Sequence, residues 1–282
     1  MAFETTIEKE VAVEGVGLHT GNKSKVVFKP AVAGSGIKFV RVDLPNRPVI
    51  SADYNHVATG KAVRGSTIAL GEAKVHTIEH IMASAFALGI DNLEVEIDNN
   101  EPPILDGSAN GFARAMLEAG VKELGAQRMY LTLDEPVVYT SGKTTISAYP
   151  SDNFEIDCTI GFDHPYISHQ QLSIEVNKES FLNEIAPGRT FCFDYEIEAL
   201  QAAGLAKGGS LDNALVIAAA GIHNKDPLRF QDEFVRHKIL DLIGDVYLAG
   251  RPIKVKIVAD KPGHNHNINF VKEFIKAAKP QY

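Results

Sequence analysis

Cysteine is scarce in this sequence. Its two cysteines, Cys158 and Cys192, lie far apart and form no C-x-x-C pair, which argues against a disulfide framework and against a cysteine-type zinc site. The charged N-terminus MAFETTIEKE lacks the apolar segment of a signal peptide, and no apolar run is long enough to cross a bilayer. We therefore expect a protein of a reducing compartment, the cytoplasm, with no membrane span.

Basic residues are also few, because 28 Lys and Arg face 36 Asp and Glu, which gives a formal net charge of −8. Non-specific binding to nucleic acid needs a basic surface, so we expect no nucleic-acid partner. A local group of lysines can still hold a small anionic ligand. Apolar residues make up 45 % and charged residues 23 % of the chain, which is typical of a globular protein with a sizeable core.

Two segments of the chain repeat one order of elements, and strand-rich sequence precedes each of them. The order is a helical pattern ended by glycine, a short alternating strand, a turn and a second helical pattern. In the first segment these are residues 75–89 ended by Gly89, 93–97, and 107–120 with Ser108 as the expected N-cap. In the second they are residues 234–250 ended by Gly250, 253–257 and 265–279.

This recurrence predicts a duplicated α+β fold. We place the first repeat, with a small insert, in residues 1–126 and the second in residues 127–282. The second repeat would carry an insert near 188–215, where a helical pattern within 197–204 precedes a glycine-rich loop. Chance recurrence of so short a pattern is the alternative.

The segment HTIEH, residues 76–80, places a carboxylate beside a histidine in the first predicted helix. Adjacent helical residues point about 100° apart, so His80 can bind a metal ion while Glu79 acts as a base. His76 would share the face of His80 at i and i+4. This spacing is the H-x-x-E-H pattern of inverzincin proteases. An amphipathic helix with polar surface residues is the simpler interpretation.

The segment VRHKILDLIGD, residues 235–245, predicts a helix with two different faces. His237, Asp241 and Asp245 share one face at i, i+4 and i+8, and the first two can chelate one metal ion. A solvated face would more often be rich in Lys and Glu. The opposite, apolar face consists of Val235, Ile239, Leu242, Ile243 and Val246.

A third histidine, His264, follows Gly263 in a predicted turn, where an acid could reach a site; a surface histidine is the alternative. His80, His237 and Asp241 would give a metal ion three protein ligands and an open position, the catalytic arrangement. Because these ligands come from the corresponding helices of the two repeats, the ion would lie between the domains. A metalloprotease using His76, and a non-catalytic binding protein on a duplicated scaffold, are the competing functions.

The chain resembles the UDP-3-O-acyl-N-acetylglucosamine deacetylases of lipid A synthesis from end to end. The resemblance is carried by segments in the family's order: GVGLHTG (15–21), TIEH (77–80), GIDNLEVEI (89–97), EPPILDGSA (101–109), FDHP (162–165), GRTFCF (188–193), GLAKGGS (204–210), HKILDLIGD (237–245) and KPGH (261–264). It implies a duplicated two-domain sandwich, each domain a sheet with a helical layer and the helices packed between the two sheets. It also implies hydrolysis of the substrate acetamide to the free amine and acetate, the committed step of lipid A biosynthesis.

The resemblance further implies one catalytic Zn²⁺, replaceable by iron, on His80, His237 and Asp241. Its catalytic residues would be Glu79 as general base, His264 as the acid, Asp245 as the partner of His264, Thr190 at the oxyanion, and Lys238. As substrate contacts we expect Leu18, Phe162 on the uracil, Lys261 with Lys238 on the diphosphate, and Phe191 with Gly209 along the acyl chain; an ordinary buried phenylalanine is the alternative for Phe162. The partner would be a UDP-sugar bearing an acyl chain, and we expect a monomer.

Overall fold

The secondary structure is mixed, and the computed structural model describes it for residues 2–58 and 64–282. The strands of the first half are β1 (Phe3–Ile7), β2 (Val11–Val16), β3 (Lys23–Pro30), β4 (Ile37–Arg41), β5 (Val49–Ser51), β6 (Ile68–Leu70), β7 (Ala73–Val75), β8 (Leu93–Ile97) and β9 (Val121–Gln127). Those of the second half are β10 (Tyr130–Thr132), β11 (Val137–Ser141), β12 (Thr144–Pro150), β13 (Glu155–Gly161), β14 (His169–Glu175), β15 (Phe191–Phe193), β16 (Leu215–Ala218), β17 (Gly221–Ile222), β18 (Val255–Asp260) and β19 (Lys279–Gln281). The α-helices are α1 (Glu79–Ala87), α2 (Asn110–Glu118), α3 (Lys178–Ser180), α4 (Ile197–Ala202), α5 (Glu233–Val246) and α6 (His264–Ala277).

Two five-stranded sheets have the same strand order. The first is β2-β3-β8-β4-β5 and the second is β11-β12-β18-β13-β14. In each, two antiparallel hairpins are joined by a later strand, β8 or β18, which runs parallel to one neighbour and antiparallel to the other. A helix precedes and another follows this central strand, so the predicted duplicated α+β fold is confirmed.

The helices form the middle of a sandwich. Helix α1 packs on α5 and on α2, while α5 also packs on α6 and on strands β13 and β14. Helix α2 contacts β2, and α6 contacts β11 and β12. All nine residues of α1 are buried, as expected for a helix enclosed on all sides.

The first predicted helix begins four residues later than the pattern suggested. Val75 ends β7, and Thr77 has a φ of 56°, a left-handed conformation that interrupts the backbone before Glu79 starts α1. His76 therefore lies outside the helix, and its predicted place on one face with His80 is wrong. Gly89, with a φ of 71°, follows the helix as predicted.

The boundaries of other helices and strands differ slightly from the predicted ones. The assigned N-cap of α2 is Ala109 rather than Ser108, although the Ser108 hydroxyl accepts a hydrogen bond from the Asn110 N–H at 3.2 Å. The strand expected at 253–257 runs from Val255 to Asp260. Strand β9 pairs with β1 and ends at Gln127, next to the boundary placed at 126, and the division into domains stays a prediction.

The insert expected near 188–215 holds β15 and α4, and its small sheet β15-β16-β17 continues to Ile222. Among the described residues, no helix combines the length and the hydropathy needed to cross a membrane.

Candidate metal centre and active site

A cavity of about 480 Å³ opens where the two halves and the insert meet. It is lined by segments from the turn after β2, the start of α1, the insert, α5 and the start of α6. Eleven of the thirteen predicted site residues line it: Leu18, Glu79, His80, Phe162, Thr190, Phe191, Gly209, His237, Lys238, Asp241 and His264.

The three predicted metal ligands converge on one point of this cavity. Nε2 of His237 lies 3.4 Å from Oδ1 of Asp241, and Nε2 of His80 lies 4.0 Å from the same oxygen. One donor atom from each residue lies within 4.8 Å of the other two. The residues are only 2–3 % exposed, so this helix face is buried rather than solvated. Two imidazoles and one carboxylate around an open side fit a catalytic metal ion.

Both histidines are held as neutral rings. The His237 Nδ1 lies 3.1 Å from the Gly188 carbonyl oxygen, to which it donates when protonated, leaving Nε2 free for a metal. Burial lowers the pKa of His237, and burial with the nearby His237 ring lowers the pKa of His80 to about 3. Both rings are therefore uncharged near neutral pH, which is the form that binds a metal.

The third ligand, Asp241, is held ionised. Burial opposes the charged carboxylate, but Lys238 and the surrounding histidines outweigh burial and lower the pKa of Asp241. The Lys238 ammonium donates to Oδ2 of Asp241 at 2.8 Å, while Oδ1 faces the two histidines. Lys238 thus contacts a candidate metal ligand directly, and its ammonium also lies 5.4 Å from the centre of the Phe191 ring.

Glu79 has the environment of a general base. Its carboxylate is buried and lies with Oε1 3.8 Å from Nε2 of His264. Burial raises the pKa of Glu79 to about 7, against the opposing effect of His264. A carboxyl group that titrates near neutrality accepts a proton more readily than an exposed one does.

His264 is the first residue of α6 rather than part of a turn, and Gly263 precedes it as N-cap. Its Nδ1 lies 2.9 Å from Oδ2 of Asp245, and its Nε2 lies 3.7 Å from Oδ2 of Asp241. Although burial favours the neutral ring, the carboxylates of Asp245, Glu79 and Asp241 raise the pKa of His264 to about 10. His264 is therefore an imidazolium that donates Nδ1–H to Asp245 and presents Nε2–H to the cavity.

Two predicted residues lie outside the cavity wall. Asp245 is completely buried behind His264, as a partner of that ring should be. Lys261 is exposed, and its side chain passes beside Gly161 at the end of β13, next to Phe162. The structure therefore brings Lys261 near the mouth of the cavity but not to its lining.

His76 takes no part in either group of described residues that could hold a metal. Its Nδ1 lies 2.9 Å from the Thr67 hydroxyl, and the ring is half-buried outside α1. Without His76 on the helix, the H-x-x-E-H spacing has no geometric basis, and the protease interpretation loses the ligand on which it depends.

One functional residue was missed in the sequence. Glu101 is buried, and its carboxylate accepts hydrogen bonds from the backbone N–H groups of His19 and Thr20 and from the hydroxyls of Thr20 and Thr77. It thereby fastens the turn that carries Leu18 to the residues leading into α1. A glutamate before two prolines has no pattern that marks this role.

Comparisons with known proteins find similar sequences over almost the whole chain. Residues 4–276 match the family model described as UDP-3-O-acyl N-acetylglycosamine deacetylase. A UDP-3-O-acyl-N-acetylglucosamine deacetylase of Anaeromyxobacter sp. (strain Fw109-5) is 43 % identical over 96 % of this chain and 88 % of that protein. The protein of the same name from Geobacter sp. (strain M21) is 44 % identical over 98 % of this chain and 90 % of its own length.

A relative with an additional part is also similar. The bifunctional enzyme LpxC/FabZ of Chlorobaculum tepidum is 38 % identical over 99 % of this chain, which covers 65 % of that protein. The similarity therefore spans the described fold and both halves of the metal centre.

Proposed function

The chain belongs to the UDP-3-O-acyl N-acetylglycosamine deacetylase family, and from that premise we propose how its residues carry out the reaction. It is a deacetylase that removes the acetyl group of UDP-3-O-acyl-N-acetylglucosamine, leaving the free amine and acetate, in lipid A biosynthesis. We assign Zn²⁺ as the ion of the centre, with iron as a possible replacement because imidazole and carboxylate ligands suit both.

The proposal depends on one observation: the donors of His80, His237 and Asp241 adjoin a second group, Glu79 and His264, which shares Asp241. A Zn²⁺ ion on the first group would supply Lewis-acid polarisation of the acetamide carbonyl and of water. The second group supplies the proton transfers. A metal site and an acid–base pair in one cavity are the components of an amide hydrolase.

Glu79 is the general base in this scheme. Its raised pKa lets the carboxylate take a proton from the attacking water near neutral pH. His264 stays protonated to higher pH and donates Nε2–H toward the departing amine, while Asp245 holds Nδ1 and fixes the ring. The two groups therefore have opposite protonation states over the same pH range, as base and acid must.

We assign to the Thr190 hydroxyl, in the cavity wall, the stabilisation of the developing oxyanion. Its backbone is held on both sides, because its N–H donates to Gly107 at 2.8 Å and its carbonyl accepts from Leu215 at 2.8 Å. A residue held in this way needs little rearrangement during the reaction.

The substrate contacts follow from the two parts of the cavity wall. We propose that Phe191, Gly209 and Leu18 contact the acyl chain, since the insert supplies apolar lining on that side. Lys238 and Lys261 would contact the diphosphate, and Phe162 the uracil. We further propose that the protein acts as a monomer in the cytoplasm.

The decisive experiment is release of acetate from UDP-3-O-acyl-N-acetylglucosamine by the purified protein. We expect activity that a chelator abolishes and that added Zn²⁺ restores, together with about one bound metal ion per chain before chelation. The Glu79→Gln variant serves as control, since it should bind metal but not turn over. An active wild type that is indifferent to chelation would refute the metal assignment, and an inactive metal-loaded wild type would refute the function.

A further inference from the structure

Between the base and the acid lies a residue to which no role has been assigned. Ser66 is 3 % exposed and lies two residues before β6 of the short ribbon β6-β7, outside every motif noted in the sequence. Its contacts reach both sides of the reaction centre. We propose that Ser66 is a positioning residue that holds Glu79 and the His264–Asp245 pair in one fixed arrangement.

The backbone of Ser66 holds the base. Its N–H donates to Oε2 of Glu79 at 2.9 Å, and its carbonyl accepts from the N–H of Ile78 at 3.3 Å. The preceding Gly65 lies so close that a Cβ there would be 3.0 Å from Oε1 of Glu79. The Gly65–Ser66 segment therefore contacts both carboxylate oxygens of the base and the residue that leads into α1.

The side chain of Ser66 holds the partner of the acid. Its hydroxyl donates to Oδ1 of Asp245, whose Oδ2 accepts from His264 Nδ1 at 2.9 Å and from Asn267 Nδ2 at 2.8 Å. Asp245 is completely buried, so each of these donors replaces a lost water contact. Ser66 supplies the only donor to Oδ1 among the described residues.

One residue thus joins two carboxylates from different halves of the chain. Glu79 starts α1 and Asp245 lies near the end of α5, and Ser66 contacts the first through its backbone and the second through its hydroxyl. Ser66 does not line the cavity, so it acts through Glu79 and Asp245 rather than on the substrate. This inference rests on the proposed function, because it gives Ser66 a part in that reaction.

The Ser66→Ala variant removes the hydroxyl and keeps the backbone contact to Glu79. We expect kcat to fall by about tenfold with little change in KM, since losing a hydrogen bond to a charged group loosens Asp245 and His264 but no substrate contact. Ser66→Thr keeps a hydroxyl and should restore most of kcat. Ser24→Ala is the matched control, because it also removes a buried hydroxyl, one with no partner among the described residues.

A readout without turnover separates this inference from the proposed function. In the metal-free protein, the ring nitrogen signals of His264, assigned by comparison with His264→Gln, should shift in Ser66→Ala and stay in place in Ser24→Ala. An inactive wild type would refute the proposed function, whereas the His264 signals would still decide whether Ser66 holds Asp245.

The double variant tests the coupling. If Ser66 acts through Asp245, then Ser66→Ala should add little to the loss already caused by Asp245→Asn. Unmoved His264 signals, a Ser66→Thr variant as impaired as Ser66→Ala, or fully additive losses would overturn the proposal. If Ser66→Ala does not fold, Ser66→Cys, with a weaker donor of similar size, should show a kcat below that of Ser66→Thr; equal values would be contrary evidence.

Discussion

The two halves of the molecule have the same sheet topology but contribute differently to the active site. In the first half, Glu79 and His80 are the first two residues of α1. In the second half, His237 and Asp241 lie inside α5, and His264 begins α6. Helix α2 of the first half corresponds to α6, since each follows the central strand of its sheet. It begins with Asn110 and brings no residue to the candidate metal centre. The two halves therefore share one arrangement of sheet and helices, but the residues that form the candidate active site differ between them.

The halves meet closely at one glycine. A Cβ on Gly244 of α5 would lie 2.1 Å from the carbonyl oxygen of Glu79, so the start of α1 rests directly on the α5 backbone. Gly244 lies between Asp241 and Asp245 in the sequence, which places Glu79 beside both carboxylates. The crossing of α1 and α5 therefore brings residues of both halves into one site.

The largest effect is expected at the metal site that we propose the two halves share. Asp241→Ala removes a ligand and the partner of Lys238, so we expect loss of the ion and a fall in activity of roughly 10³-fold or more. Metal content measured beside acetate release checks this result. His80→Ala, from the other half, should give the same double loss, and a variant that lost activity but kept full metal would contradict a shared ion.

Glu79→Gln should separate catalysis from metal binding within the first half. A general base contributes about 10²–10⁴-fold, and Glu79 is not a member of the His80, His237 and Asp241 donor group. We therefore expect that loss in kcat with the metal content of the wild type. Equal loss of metal from Glu79→Gln and Asp241→Ala would show that the two roles are not divided as proposed.

Gly244→Ala should break the contact between the halves. Alanine normally favours a helix over glycine by about 1 kcal/mol, yet here the added carbon meets the Glu79 backbone. We expect a net destabilisation of about 1–3 kcal/mol and a fall in kcat of up to about 10²-fold as Glu79 is displaced. Gly221→Ala, where nothing lies within 4 Å, is the control. Thermal unfolding and kcat of both variants measure the difference.

The smallest expected effect concerns the dependence of kcat/KM on pH. Activity should fall below about pH 7 as Glu79 gains a proton, and above about pH 10 as His264 loses one. A bound cation would move both limbs to lower pH, because it favours the carboxylate and disfavours the imidazolium.

Replacing Asp245 tests the upper limb. Asp245→Asn removes a carboxylate that raises the pKa of His264, so the basic limb should move to lower pH while the acidic limb moves less. His264→Gln should lower activity and flatten that limb. The profile of kcat/KM against pH is the measurement, and an unmoved basic limb in Asp245→Asn would refute the His264–Asp245 pair as its source.

Local patterns predicted much of this fold. Alternation placed β8 at its observed position, and the i, i+4, i+8 spacing placed His237, Asp241 and Asp245 on one face of α5. The start of α1 was misplaced because a left-handed residue such as Thr77 has no compositional mark. The same error moved His76 onto a helix that it does not join.

Residues whose roles arise from distant contacts could not be recognised in this way. Ser66 lies 13 positions before Glu79 and 179 before Asp245, and Glu101 holds a turn 82 positions earlier. Each is an ordinary polar residue outside the helices and strands, without a periodic pattern. Lys261 shows the reverse case, because a motif made it a candidate and the structure leaves it exposed beside the cavity.

By itself, the sequence determined the duplicated order of elements, the candidate donor residues and the shared face of α5, because helix and strand periodicity are local properties of the chain. The resemblance had already implied the His264–Asp245 pair, but only the tertiary structure decided that Glu79 faces His264 and that Ser66 joins both carboxylates. Those relations depend on how α1 crosses α5 at Gly244, on the burial that raises the pKa of Glu79, and on the carboxylates that raise the pKa of His264. No periodicity encodes a helix crossing or the desolvation of a carboxylate, since both arise from side chains distant in sequence packing together.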